Sequence, residues 1–103
     1  MLKIVSMLAV AILVSLSAQA QPYCPQYEAQ VIGKITGVKH FQGKCKVYAD
    51  YTHFQSHVLC PLLEEEVSNL GVLLEGERCD RQEGEDFSGI LVRKAGERDI
   101  TLD

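Results

Sequence analysis

Residues 27–52 read YEAQVIGKITGVKHFQGKCKVYADYT, and their alternation decides the fold. Tyr27, Ala29, Val31 and Ile35 fall at odd positions, with Gly33 and Gly37 in the same phase, while Glu28, Gln30, Lys34 and Thr36 fill the even ones. Cys45, Val47, Ala49 and Tyr51 likewise alternate with Lys44, Lys46, Tyr48, Asp50 and Thr52. A period of two is the mark of a half-buried strand, so residues 27–39 and 44–52 are predicted to be strands. Between them, Phe41-Gln42-Gly43 suits a three-residue loop closing in a glycine bulge. That loop pairs His40 with Lys44, so facing residues sum to 84. Ile35 then opposes Ala49, and Gly37 opposes Val47, on the apolar face. Lys34 opposes Asp50 on the other face as a favourable cross-strand charge pair. A one-residue slip would set apolar against polar faces.

Working toward the N-terminus, the first twenty residues differ from the rest. Lys3 is followed by a nearly continuous apolar run from residue 4 to residue 16, then by small residues ending in Ala18-Gln19-Ala20. This is the pattern of an export signal, and residues 1–20 are predicted to be removed. A mature domain of residues 21–103, with a formal charge near −5, would then act outside the cytoplasm without a membrane anchor. The acidic pI of about 5.3 argues against nucleic acid as a partner, because phosphate contacts need clustered Lys and Arg. At 103 residues the chain is also too short for a large α/β scaffold such as an α/β barrel or a dinucleotide-binding enzyme.

Cys24, Cys45, Cys60 and Cys79 all lie in the predicted mature part and contain no C-x-x-C pair. An even count in a short exported chain implies two disulfides. Extending the hairpin register to its base sets Cys24 opposite Cys60, which leaves Cys45 for Cys79. The alternative is Cys24–Cys45 with Cys60–Cys79. An 83-residue interior is small, so such staples carry a large share of the stability.

Toward the C-terminus, residues 61–70 form the one helix candidate. Pro61 suits the first position, Glu64, Glu65 and Glu66 suit the positive end of the dipole, and Leu63, Val67 and Leu70 share a face before Gly71. Residues 72–74 open another strand. Residues 80–86 are an acidic loop, and residues 87–94 and 98–102 form a second hairpin across Ala95-Gly96-Glu97. If Lys94 faces Arg98, Val92 meets Ile100 and Ile90 meets Leu102, all four on one face.

The predicted class is therefore mainly β with one short helix: a small five-stranded antiparallel barrel-like domain, stapled by two disulfides. The five strands and the coiled, glycine-containing first hairpin resemble an OB-fold, with an SH3-like barrel as the alternative. The resemblance implies a binder of oligosaccharides, oligonucleotides or proteins. The helix departs from it, because an OB-fold places its helix after the third strand and here it follows the second.

No catalytic or metal-binding constellation stands out, and no cofactor is expected. His53 and His57 would share a metal only on a helix; on a strand they lie about 13 Å apart. Asp80, Glu83, Glu85 and Asp86 surround Gly84, but their spacing is not that of a calcium loop. Ser56, Ser68 and Ser88 lack the G-x-S-x-G setting of a nucleophile. The remaining candidate is the outward face of the first hairpin, where the register puts Ile32, Lys34, Thr36, Val38, Lys46, Tyr48 and Asp50. Ile32, Lys34 and Tyr48 are the predicted binding residues, with Tyr48 as aromatic anchor. The expectation is a non-enzymatic exported domain that binds a protein, peptide or glycan of the cell envelope. The second reading is a secreted inhibitor or effector acting on another protein such as a hydrolase, with the acidic loop as its working part.

Overall fold

The computed structural model describes residues 23–103; the predicted export signal at residues 1–20 lies outside them. Five strands form, β1 (Gln26–Phe41), β2 (Lys44–Ser56), β3 (Val72–Glu75), β4 (Asp86–Lys94) and β5 (Thr101–Leu102). One α-helix, α1 (Glu64–Leu70), precedes β3, and a 3-10 turn, Gly76–Cys79, follows it. The hydrogen bonding runs in a ring, β1-β2-β3-β5-β4 and back to β1. Four of the pairings are antiparallel, but β3 and β5 run parallel through Leu73 and Thr101, which corrects the all-antiparallel expectation. A ring with an odd number of strands cannot alternate in direction throughout, so one contact has to be parallel. The helix follows β2, as the sequence indicated, and the short 3-10 turn lies between β3 and β4.

The first hairpin keeps Lys34 opposite Asp50 and Ile35 opposite Ala49. Its turn differs from expectation. Gln42 and Gly43 alone form the loop, with φ of 48° and 74°, the positive values that a two-residue type I′ turn requires. Phe41 therefore faces Lys44 and His40 faces Cys45, and a register shift between Ile35 and Gly37 reconciles the turn with the strand middle. Beyond the shift, Gly37 faces Tyr48 rather than Val47, and Val38, expected outside, packs against the core. A second shift between Ile32 and Gly33 bulges Thr52 out of β2, and its hydroxyl donates to the Ile32 carbonyl. Such bulges raise local twist, which lets one long strand curl into two neighbours.

The core is wholly apolar among the described residues. Ala29, Val31 and Ile35 of β1 meet Val47, Val72, Leu74, Phe87, Leu91 and Ile100, with Leu62 and Val67 closing the helical side. Pro61 is not the first helical residue as expected: it forms an extended bridge with Glu28, and α1 begins three residues later. Leu62 rather than Leu63 enters the core, and Leu63 is exposed. Gly71 ends the helix with φ of 71°, its N–H donating to the Val67 carbonyl at 2.8 Å. The second hairpin is offset by one from expectation, with Val92 facing Thr101 and Leu91 facing Leu102. Ile90, expected inside, is exposed.

Cys24 is bonded to Cys60 and Cys45 to Cys79, each with Cα atoms 5.6 Å apart, and no cysteine is free. Cysteines paired in this way belong to an oxidising compartment. The bridges span 36 and 34 residues, so chain entropy alone assigns each about 4 kcal/mol. Non-reducing peptide mapping should recover Cys24–Cys60 and Cys45–Cys79 links and no Cys24–Cys45 link. Reduction should lower the urea midpoint strongly. A midpoint that does not respond to reductant would contradict the assignment of stability to the bridges.

A side chain at position 71 meets two obstacles. The backbone there is left-handed, and a Cβ would lie 2.9 Å from Tyr48 Cε1 and 3.3 Å from the Val47 carbonyl oxygen. Gly71→Ala should therefore cost about 1–3 kcal/mol in equilibrium unfolding; an unchanged midpoint would show that helix end and β2 separate easily.

Candidate functional site

The outward face of β1 carries three rows of side chains running across β2, β1 and β4. Gln55, Gln30 and Ile90 form the first, His53, Ile32 and Ser88 the second, and Asp50, Lys34 and Asp86 the third. All nine are exposed. Ile32 (51% exposed) and Ile90 (44%) are diagonal neighbours on this face, close enough for one ligand to touch both. Beside the first row lies a groove of about 290 Å³, lined by Glu28, Gln30, Gln55, His57, Val58 and Ile90. Val58, on the loop after β2, is 91% exposed and forms an apolar rim.

The three residues singled out from sequence fare differently. Ile32 is exposed in the middle of the face. Lys34 is also exposed, but Asp50 and Asp86 cross it from both neighbouring strands, so its charge is offset locally. Tyr48 is half-buried and packs beside Gly71 at the end of α1, so it is not a free-standing anchor. Ile90, Ser88 and Asp86 were missed because β4 joins β1 from more than fifty residues away. Gly89 signals a different contact: a glycine inside a strand marks a close approach, and here a Cβ would meet Leu102 Cδ1 of β5 at 2.7 Å, so nothing local points to β1.

His53 and His57 do not meet on one helical face. His53 stands in the strand opposite Ile32. His57 follows the strand, and its Nδ1 accepts hydrogen bonds from the Leu59 and Cys60 amides at 3.2 and 3.1 Å. Its own amide donates to the Glu28 carbonyl at 2.9 Å. His57 thus shapes the loop that brings Cys60 to Cys24. The Ser56 hydroxyl is engaged with the Leu62 carbonyl at 2.7 Å. Among the described residues, no three His, Cys, Asp or Glu side chains gather as a metal site.

The acidic loop is anchored rather than loose. Gly84 donates to the Ile35 carbonyl at 2.8 Å, and the Ile35 amide donates to Glu85 at 2.9 Å. Cys79, one residue before the loop, is bonded to Cys45.

On the inner side, Tyr51 packs edge-on to Phe54 with ring centroids 5.6 Å apart, and its hydroxyl is buried without a hydrogen-bond partner. Burial, and after it the Glu64 carboxylate, push its pKa from 10.0 up to about 12. The fold accommodates the neutral phenol, so this contribution is fully present below pH 10 and is lost as pH rises through 12. Tyr51→Phe should remove that part of the alkaline loss in urea unfolding, and leave stability at neutral pH unchanged or slightly raised. An alkaline loss identical to that of the unaltered protein would refute the assignment.

No protein-family model matches the chain, and no curated protein or solved structure is significantly similar to it.

Proposed function

We propose that this is an exported, non-enzymatic binding domain of the bacterial cell envelope, working in the periplasm or beyond it through the outward face of β1. The observation that carries the reading is the exposed pair Ile32 and Ile90 beside the groove under Val58. Apolar side chains ringed by amides, a histidine and charges are the make-up of a small interface, where a few side chains carry most of the affinity. The ligand is a peptide or glycan segment, because the groove is open and Gln30 and Gln55 among its lining residues both donate and accept hydrogen bonds. Two bridges keep the face rigid, which lowers the ordering cost of binding.

The anchored acidic loop supports a second reading, an inhibitor or effector that presents residues 80–86 to another protein. The two separate by mutation. Binding to envelope polymers or peptides, measured by titration, should weaken about tenfold or more in Ile32→Asp. It should survive replacement of Asp80, Glu83 and Glu85 by their amides. The reverse pattern, with inhibition of a hydrolase lost on changing the loop, would overturn the first reading in favour of the second.

A further inference from the structure

The other end of β1 presents a different feature. Pairing with β4 stops at Lys34, and Ile35 spends its amide and carbonyl on Glu85 and Gly84. Residues 37–41 pair with β2 on one side only, Thr36 is bulged out of that pairing, and no described backbone pairs with residues 36–41 on the other side. The ring therefore leaves a bare strand edge of six residues, about 20 Å long. An edge of this kind is a template for one more strand.

Charge along the edge selects what can add. Lys39 faces Lys46 across the hairpin, an arrangement that is unfavourable unless something negative joins it. Among the described residues neither makes an ion pair; Lys44, the next lysine on that face, is held by Glu75 at 3.5 Å. Phe41, 40% exposed, stands beside them on the same face, and Gly37 at the other end leaves open space where a Cβ would be. A second copy of this chain is a poor occupant, since pairing two such edges about Lys39 would bring four lysines together. We propose that the edge formed by residues 36–41 docks an extended acidic polypeptide segment as a sixth strand. The segment places a carboxylate against Lys39 and Lys46 and an apolar side chain beside Phe41. Glu83 and Glu85 lie at the Ile35 end of the edge, so the segment is neutral or basic there.

The edge at residues 36–41 shares no residue with the groove, so binding at the two can be separated by mutation. The probe is a blocked seven-residue peptide alternating valine and glutamate, titrated into the disulfide-bonded protein with amide signals followed by NMR. Saturable binding is expected, with slowed hydrogen exchange at the alternate amides among residues 37–41 that face away from β2, and an affinity that falls as salt is raised. Affinity should drop about tenfold or more for Lys39→Glu and for a peptide methylated on alternate backbone nitrogens. Lys46→Gln gives a second, milder loss, and near-ultraviolet circular dichroism confirms that each variant folds. Ile32→Asp should bind the peptide unchanged. Equal binding of the methylated peptide, preference for anionic lipid vesicles or a sulfated polysaccharide, or no protection of those amides would each overturn the proposal.

Discussion

Sixteen residues of β1 hydrogen-bond to β2 along most of their length and to β4 over their first half. The rest of the structure depends on that double engagement. A flat strand could not serve both neighbours of a five-membered ring, so the two register shifts at Gly33 and Gly37 are what let β1 coil. The disulfides then tie the ends of the arrangement. Cys24–Cys60 holds the start of β1 to the loop after β2, and Cys45–Cys79 holds the start of β2 to the turn after β3. Between these ties the interior is a single apolar cluster with no buried charge among the described residues.

The same coiling divides the surface. The first half of β1 lies between two strands and shows a broad, three-stranded face with apolar side chains at its centre. The second half has one neighbour and shows an edge. A face offers side chains and an edge offers backbone, so the two ends of one strand suit different modes of recognition. Lys34 and Lys39 illustrate the difference. They are five residues apart on one strand, yet Lys34 is flanked by two carboxylates and Lys39 by another lysine. Only the identity of the neighbouring strands separates them.

The extrapolated hairpin register favoured the observed disulfide pairing over its alternative, but the chain reaches that pairing by another route. β2 ends at Ser56, and the following loop folds back on Glu28, whose carbonyl accepts the amides of both His57 and Leu62. Cys60 thus arrives beside Cys24 through a loop closed by His57, not through an extended ladder. The helix shows a similar substitution. Pro61 looked like a helix start, but pairing with Glu28 holds it extended, and the apolar role passes from Leu63 to Leu62. In the second hairpin, Ile90 was misplaced because its register is set by the Leu73–Ile100 contact with β3, a partner invisible from the local pattern.

By itself the sequence determined the alternating strands, the helix end at Gly71 and the middle of the first hairpin, and it narrowed the cysteine pairing to two candidates. Each rests on forces acting between residues close along the chain or joined by one turn, where periodicity and turn chemistry are readable. Tertiary structure alone decided that β4 lies against β1, that Tyr48 is packed beside the helix end, that Ile90 faces out, and that half of β1 has an open side. Those outcomes depend on which distant strand supplies the next row of hydrogen bonds. Alternation specifies which side of a strand is buried, but it carries no record of the neighbour that lies beside it.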